Sequence, residues 1–435
     1  MPIWCWRNKG NAGCNATAKD CVSIVSVQSH SRNFHVWYKS VVQITRKEGF
    51  TVMKSEHARD MLREIAEEAE IFAQILKNKE QYIKDFVELY KTHSFKRIYI
   101  VGNGSPGYAS IALKYAANKL LQVDATYSTP GLFLHHEGFD PSGIYKSEDM
   151  LLICPAESGR TKGPVLIARE AKKKGISVAC CTLEPEGVLA QTSDVVIFKP
   201  SRREFGLPST KGHSTGIFLF LLAFIEAAYQ TGKLTVEEYE SYMAGMEHLP
   251  AAVDDAYEKT LAWFDRYMDV AMGAGRFHLI GYGANFSTVN EIVLKFVESH
   301  RKPSIAVELE EFMHGHIRSI TNDEIIVFIC AEEGVEKQRM LQLYDLLTKE
   351  NVGAARILIH SAKDPFTVPM EIAFDASNVE FVNVLEYLVP LQILTYEISD
   401  HLGLDMSKSV GMALKKAMQP SFGVPLTQEE STKEG

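Results

Sequence analysis

The stretch Ile98-Tyr-Ile-Val-Gly102-Asn-Gly104 joins a short apolar run to a glycine-rich turn, and Phe277-His-Leu-Ile-Gly281-Tyr-Gly283 repeats this pattern. An apolar run that ends in glycines predicts a buried β-strand followed by a tight turn. Further matches between the two halves, including Ile325–Cys330 with Leu151–Cys154, lie roughly 174 to 179 residues apart, which is the signature of an internal repeat. The sequence therefore predicts a duplicated domain.

Strand and helix patterns alternate around the first copy of this stretch. The predicted strands are Arg97–Val101, Asp149–Cys154, Ile176–Thr182 and Asp194–Phe198. The predicted helices are Glu56–Asn78, Lys79–Thr92, Lys162–Lys174 and a long helix from about Ser209 to Thr231. This alternation is typical of an α/β fold with a parallel sheet and helices on both faces.

The pattern divides the chain into six predicted segments. These are a leader at 1–52, N-terminal helices at 53–95, a first domain at 96–232, a helical connector at 233–272, a second domain at 273–403 and a tail at 404–435. The leader holds three of the seven Cys and three of the four Trp and lacks an apolar period. We expect it to be disordered and natural translation to start at Met53.

Composition excludes several classes of protein. The 55 acidic residues exceed the 46 basic ones and give a formal charge of −9, which argues against nucleic acid as the main partner. The cysteines lack the CxxC spacing of metal sites, so we expect buried free thiols in a reducing compartment. The most apolar stretch, Gly216–Ala228, is too short to span a bilayer and contains Glu226, so we expect it to form a buried core helix. We therefore expect a soluble, cytoplasmic protein without a membrane partner.

The two copies differ in the loop after their second matched strand. The first copy has Glu157-Ser158-Gly159-Arg160-Thr161, and the second has Glu332-Glu333-Gly334-Val335. A phosphate binds backbone N–H groups, short hydroxyls and helix N-termini, and carboxylates repel it. The sequence therefore predicts a phosphate site in the first copy only.

The turn Gly102-x-Gly104-x-x-Gly107 also fits the dinucleotide-binding pattern, with Asp124 near the distance of a ribose partner. Ser105 within the turn favours a single compact phosphate instead. A tight strand-to-helix turn that needs only small residues is a third interpretation.

Three side chains in the second half are candidates for proton or imine chemistry. Lys295 and Glu298 lie three residues apart and share one face of a predicted helix, where a solvated ion pair is the alternative interpretation. His314 follows an acidic run and could carry a proton or simply end a helix. Lys408 follows the last long helix, where an exposed tail lysine is the alternative.

With these residues, the chain resembles the double sugar-isomerase (SIS) proteins over roughly residues 60–415. It is similar to the isomerase part of glucosamine-6-phosphate synthase and to the fructosamine-6-phosphate deglycases. Glu298 and His314 are 16 residues apart, as are the acid/base Glu and the ring-opening His of that family. Lys295 matches the synthase Lys-x-x-Glu, and Lys408 matches its C-terminal Ala-Lys-Ser-Val. Gly104-Ser105-Pro106 and Glu311-Phe312-x-His314-Gly315 are closer to the deglycase form.

The resemblance implies two tandem SIS domains, each a flavodoxin-like, parallel five-stranded sheet in a three-layer arrangement. It implies that the substrate phosphate is bound by residues of the first copy: Gly104, Ser105, Ser158, Gly159, Thr161 and Ser209. It implies that Glu298 moves a proton between C1 and C2, assisted by Lys295, and that Lys408 forms an imine with the open-chain sugar. His314 would then enter the neighbouring subunit's site, which predicts a homodimer or a higher homo-oligomer. No metal or organic cofactor is expected.

The sequence also departs from the family. His316 replaces the proline of the usual His-Gly-Pro, and Ala156 replaces a phosphate-binding serine of the synthase. We expect Arg160 to offset the charge of Glu157, and we expect no glutaminase domain.

The predicted activity is an isomerase or deglycase acting on an amino-sugar or fructosamine 6-phosphate through an imine and enamine. Three alternatives stay open: a plain aldose–ketose phosphosugar isomerase, an aminosugar-phosphate deaminase and a sugar-phosphate-sensing regulatory protein.

Overall fold

A computed structural model describes residues 58–206 and 208–406, together with residues 414, 417, 418, 420 and 421. The predicted leader at 1–52 and the candidate Lys408 lie outside the described residues.

The first half begins with two helices and continues as a parallel five-stranded sheet with the order β2-β1-β3-β4-β5. Its strands are β1 Arg97–Val101, β2 Asp124–Ser128, β3 Met150–Pro155, β4 Ser177–Thr182 and β5 Val195–Phe198. Its helices are α1 Ala58–Lys77, α2 Lys79–Thr92, α3 Ser105–Leu120, α4 Lys162–Lys174, α5 Val188–Thr192 and α6 Lys211–Gln230. Short helical turns lie at Pro130–Leu132, Phe133–Glu137 and Ser147–Asp149.

The second half follows the 38-residue helix α7, Val236–Gly273, and repeats the topology, with the order β10-β9-β8-β6-β7. Its strands are β6 Arg276–Gly281, β7 Ser304–Glu308, β8 Glu324–Cys330, β9 Ala355–Ser361 and β10 Glu371–Phe374. Its helices are α8 Phe286–Glu298, α9 Leu309–His314, α10 Val335–Lys349 and α11 Asn383–His401. Short helical turns lie at Gly283–Asn285 and His316–Ser319.

The two sheets have matching registers. Ile98 pairs with Ala125 on one side and Leu151 on the other, and Leu279 pairs with Ala306 and Val327. All the pairings are parallel, so the helices that connect successive strands cover the sheet faces. The predicted fold class, two tandem flavodoxin-like domains with five parallel strands each, is confirmed.

The apolar side chains form one core shared by the two halves and a smaller core on the outer face of each sheet. Helix α6 runs through the shared core. In the described part of the chain it is the one helix long and apolar enough to cross a membrane, and 94% of that apolar stretch is buried inside the protein. The prediction that Gly216–Ala228 forms a buried core helix is confirmed.

Four cysteines of the described residues are free and buried, as the sequence predicts: Cys154, Cys180, Cys181 and Cys330. Burial raises the pKa of the Cys180 thiol to about 11 and keeps it protonated at neutral pH.

Helix α1 carries a carboxyl group into the shared core. Glu68 is fully buried beside Ser214 and Gln392, and no cation of the described residues lies within ion-pair distance of it. Burial raises the pKa of Glu68 from 4.5 to about 8. Between pH 4.5 and about pH 8, the folded protein keeps a proton on Glu68 that the unfolded chain has lost. Glu68 therefore makes the fold less stable as the pH rises through this range.

We therefore expect Glu68→Gln to reduce the loss of stability between pH 5.5 and pH 8 by about 1 kcal/mol or more, since one pKa unit corresponds to about 1.4 kcal/mol. Urea unfolding at the two pH values measures this difference. Glu70→Gln on the exposed face of the same helix is the matched control. Identical pH dependence in both variants would contradict the assignment.

Candidate active site

The first sheet has a topological switch point between β1 and β3. From β1 the chain moves outward to β2 and then returns past β1 to β3, so the loops after β1 and β3 diverge at the carboxyl edge. Ligands of open parallel sheets bind in the crevice that such loops form. The loops here are Gly102–Gly104 and Ala156–Thr161, which contain most of the predicted phosphate residues.

A pocket of about 150 Å³ lies between these two loops. Its walls contain ten residues: Asn103, Pro106, Pro155, Ala156, Glu157, Ser158, Gly159, Thr161, Pro164 and Leu189. Three predicted phosphate residues, Ser158, Gly159 and Thr161, are therefore brought together. Ser105 is buried at the start of α3, next to Pro106 of the wall.

The backbone around this pocket favours an anion. Gly104 and Gly159 both have φ of 62°, a left-handed conformation that glycine adopts without strain. Gly104 directly precedes α3, and Thr161 directly precedes α4. Two helix N-termini, which favour anions, thus begin beside the pocket. Lys162 N donates to Pro420 O, so the C-terminal tail also lies at the start of α4.

The other glycines of the dinucleotide-like motif are explained by packing. A Cβ on Gly102 would lie 2.5 Å from the Pro106 backbone, and a Cβ on Gly107 would lie 2.8 Å from Gly102 O. Asp124, the candidate ribose partner, forms an ion pair with Arg97. These contacts favour the tight-turn interpretation for Gly102 and Gly107 over a dinucleotide site.

Ser209 is placed differently from the other predicted phosphate residues. Its hydroxyl donates to Glu204 Oε1 at 2.8 Å, and Glu204 also accepts from the N–H groups of Thr210 and Gly212. Glu204 thereby satisfies free N–H groups at the start of α6. The structure does not place Ser209 in the wall of the 150 Å³ pocket.

The charge of Glu157 is offset by Lys199, and the prediction that Arg160 offsets it is wrong. Arg160 Nε donates to Glu184 at 2.6 Å. Lys199, which is almost fully buried after β5, donates to Glu157 Oε1 at 2.6 Å and to Gly212 O at 2.8 Å. Burial raises the pKa of Glu157, and the Lys199 ammonium opposes that rise. No motif in the sequence marks Lys199.

The candidate acid/base pair lies on α8. Lys295 Nζ donates to Glu298 Oε2 at 2.8 Å and lies 3.4 Å from Glu291 Oε1. The side chain of Lys295 is 2% exposed and that of Glu298 is 40% exposed. The alternative of a solvated surface pair is therefore wrong for Lys295, which is buried. Glu298 is partly exposed to solvent while its carboxylate accepts the hydrogen bond from Lys295.

Helix α8 packs against the first phosphate loop. Ser287 Oγ donates to Tyr108 O at 2.7 Å, and a Cβ on Gly104 would lie 3.8 Å from Leu294 Cδ2. The Glu291 side chain also lies close enough to Ser105 to lower its own pKa, although burial raises that pKa overall. The phosphate loop of the first copy and the acid/base helix of the second copy therefore meet in one chain.

His213 on α6 joins these two parts and was missed by the sequence analysis. Its Nδ1 lies 3.1 Å from Ser105 O and 3.9 Å from Glu291 Oε2. Burial lowers the pKa of His213 to about 3, so the ring is neutral and its Nδ1–H donates to Ser105 O. Its position in an apolar helix made it indistinguishable from a core residue.

Two candidates are not joined to the site by the described residues. His314 is exposed at the last position of α9, and no hydrogen bond or ion pair to the described part of the chain holds it. Lys408 lies outside the described residues. Within the described ranges, no cluster of three or more His, Cys, Asp or Glu residues could hold a metal ion.

The chain is similar in sequence to isomerizing glutamine–fructose-6-phosphate aminotransferases. It is 23% identical to the enzyme of Clostridium tetani over 359 residues, which are 81% of this chain and 58% of the relative. It is 25% identical to that of Fusobacterium nucleatum over 373 residues, which are 83% of this chain and 59% of the relative. The chain thus matches little more than half the length of these relatives. No family model matches it.

Solved structures show the same fold. The C-terminal domain of glucosamine-fructose-6-phosphate aminotransferase from Francisella tularensis superposes with a TM-score of 0.72 and 20% identity, over 82% of this chain and 98% of that domain. Tagatose-6-phosphate ketose/aldose isomerase from Escherichia coli superposes with a TM-score of 0.66 and 15% identity, over 83% of this chain and 97% of the isomerase.

Proposed function

We propose that this chain, which has the tandem SIS fold and is related in sequence to the isomerase part of glucosamine-6-phosphate synthase, is a sugar-phosphate isomerase or deglycase. Its proposed substrate is an amino-sugar or fructosamine 6-phosphate. One observation carries the proposal. The 150 Å³ pocket of the first copy adjoins a loop that packs on α8. On α8, the buried Lys295 donates a hydrogen bond to the partly exposed Glu298.

In the proposed reaction, Ser158, Thr161 and the start of α4 hold the phosphate. Glu298 removes the proton from one of the two adjacent carbons C1 and C2 and returns it to the other. A single carboxylate can serve both carbons because the aldose–ketose shift moves the proton across one face. Lys295 holds the Glu298 carboxylate in position through its 2.8 Å hydrogen bond.

An imine at C2 or C1 would accept the electron pair that the departing proton leaves, and the resulting enamine is reprotonated at the neighbouring carbon. The substrate's own amine forms that imine. Lys408 is proposed to displace this amine from the C2 imine after the proton shift, and water then hydrolyses the Lys408 imine to the ketose and regenerates the free lysine. The proposal also includes a cytoplasmic homodimer in which His314 of each chain serves the site of the other. An exposed His314 supports this arrangement because the described residues of its own chain leave it unpaired.

A plain aldose–ketose isomerase is the second candidate. It is supported by the structural similarity to an enzyme described as a tagatose-6-phosphate ketose/aldose isomerase. It requires Glu298 and the phosphate pocket but no imine.

A substrate panel distinguishes these possibilities. Purified full-length protein is incubated with glucosamine 6-phosphate, fructose 6-phosphate with ammonia, fructose- and glucose-amino-acid 6-phosphates, and tagatose 6-phosphate, and products are followed by NMR. We expect turnover of at least one amine-bearing phosphate. We expect Ser158→Asp, which copies the acidic second loop, to lower kcat/KM by at least about 10²-fold because the new carboxylate repels the phosphate. A loss of this size is comparable to the loss of two charge-assisted contacts.

Ser241→Asp, at an exposed position of α7 away from the pocket, is the matched control for the added charge. Turnover confined to phosphates without an amine would establish the plain isomerase. Tight binding of a sugar phosphate without turnover of any would establish the sensor. Full activity of Ser158→Asp would exclude the proposed phosphate pocket.

A further inference from the structure

The second sheet has a larger cavity at its own carboxyl edge. Its volume is about 800 Å³. It is formed by the turns after β6, β8 and β10, and the end of α3 from the first half closes one side. It is therefore the counterpart, in the second copy, of the phosphate pocket in the first.

The turn after the first strand has a similar backbone in the two copies. Gly283 has φ of 53° where Gly104 has 62°, so the same left-handed turn follows the first strand of each sheet. The offset of 179 residues that relates Gly104 to Gly283 also relates Lys119 to Glu298. The end of α3, which closes one side of the second cavity, is thus the repeat counterpart of the end of α8.

The second cavity is more acidic than the first pocket, whose wall contains one charged side chain, Glu157. Ser158 of the first loop corresponds to Glu333 of the second, and Lys119 takes the position of Glu298. The wall of the second cavity contains four carboxylates and one ammonium group: Glu332, Glu333, Glu336, Glu380 and Lys119. An anionic ligand such as a phosphate is therefore disfavoured here.

Two of these carboxylates have ion-pair partners within the described part of the chain, and two do not. Glu333 pairs with Lys337, and Glu380 pairs with Lys119. Among the described residues, Glu332 and Glu336 form no ion pair. Oε2 of Glu332 is buried without a hydrogen-bond partner of normal geometry, although Asn383 lies nearby. Two carboxylates of the cavity wall are therefore not offset by a cation of the described residues, which favours a cationic ligand.

Aromatic rings form much of the remaining wall. Tyr115, Tyr282 and Phe381 line the cavity, and the Lys119 ammonium already lies 6.0 Å from the Phe381 ring. Ring faces attract organic cations, particularly alkylammonium groups. The described residues contain no convergent cluster of metal ligands, so the wall suits an organic cation better than a metal ion.

We propose that this second cavity is a binding site for a primary alkylammonium ligand, with Glu332 and Glu336 as its anionic contacts and Tyr115 and Phe381 as its aromatic wall. The site is separate from the phosphate pocket and stands independently of the proposed reaction. A polyamine and a basic amino acid both carry the required group.

Isothermal titration with spermidine, L-lysine and MgCl₂ at constant ionic strength tests this site. We expect saturable 1:1 binding of spermidine or L-lysine by the wild-type protein and at least tenfold weaker binding by Glu332→Gln/Glu336→Gln. Binding of spermidine alone identifies a polyamine site, and binding of L-lysine alone identifies an amino-acid site. Glu247→Gln/Glu350→Gln, two exposed positions elsewhere, is the control with the same net charge.

Circular dichroism and urea unfolding establish that both double variants fold. Three results would each overturn the proposal. Neither amine binds saturably, or the two double variants weaken amine binding equally, or Mg²⁺ binds stoichiometrically and this binding is lost in Glu332→Gln/Glu336→Gln. Ser158→Asp should retain amine binding. If this variant loses sugar-phosphate turnover but binds the amine as wild type does, the two sites are separate. The amine titration does not depend on turnover, so it tests the second cavity even if the proposed reaction is wrong.

Discussion

Glu298→Gln is expected to lower kcat/KM for the sugar phosphate by about 10²–10⁴-fold, which is the usual contribution of a positioned acid or base. The amide has the shape of the carboxylate and can still accept the hydrogen bond from Lys295 Nζ. It cannot take up a proton from carbon. Because the Glu298 side chain is 40% exposed, the substitution should leave the free energy of unfolding nearly unchanged.

Steady-state kinetics and urea unfolding measure the two quantities on the same preparation. Solvent-deuterium incorporation at C1 or C2, followed by NMR, reports the proton transfer directly and should disappear in Glu298→Gln. Glu258→Gln on the exposed face of α7 is the matched control. Deuterium exchange that persists at the wild-type rate in Glu298→Gln would assign the base to another residue.

The sequence predicted the repeated strands because most of them are short apolar runs. β3, β4 and β8 are buried along nearly their whole length, which makes the apolar period unmistakable. β2 was missed because Asp124-Ala-Thr-Tyr-Ser128 is an edge strand with two exposed residues and little apolar content. Its partner β1 determines its register, and this information is not local to β2.

The local parts of the candidate site were also predictable, whereas its long-range parts were not. The hydroxyl loop and the Lys295–Glu298 pair lie within short stretches where spacing alone indicates proximity. Lys199 meets Glu157 across 42 residues of chain, and His213 meets Ser105 across 108. Such pairings depend on the strand order, which periodicity does not specify. For the same reason Arg160, the neighbour in sequence, was wrongly preferred over Lys199.

Lys295→Met should lower the free energy of unfolding substantially. Lys295 and Glu291 are both about 2% exposed, and their charges lie 3.4 Å apart. Burial lowers the pKa of Lys295, but Glu291 and Glu298 outweigh that effect and raise it, so the ammonium is charged. Removing it leaves Glu291 as a buried carboxylate without a cation in contact, which typically costs about 3–5 kcal/mol.

The loss of unfolding free energy in Lys295→Met should increase as the pH rises. Burial raises the pKa of Glu291 even with Lys295 present, and loss of the ammonium raises it further. At low pH the folded variant protonates Glu291 and escapes most of the penalty. As the pH rises above the ordinary carboxyl value, the unfolded chain releases that proton first, and the variant becomes progressively less stable than wild type.

The double variant Glu291→Gln/Lys295→Met separates the structural from the catalytic contribution of Lys295. It removes both buried charges together, so urea unfolding at pH 8 should recover most of the stability lost by Lys295→Met. Turnover should stay low, because Glu298 still lacks the ammonium that holds its Oε2 at 2.8 Å. Recovery of both stability and turnover would show that Lys295 serves only to neutralise Glu291. Wild-type stability of the single variant would show that Glu291 does not depend on Lys295 at all.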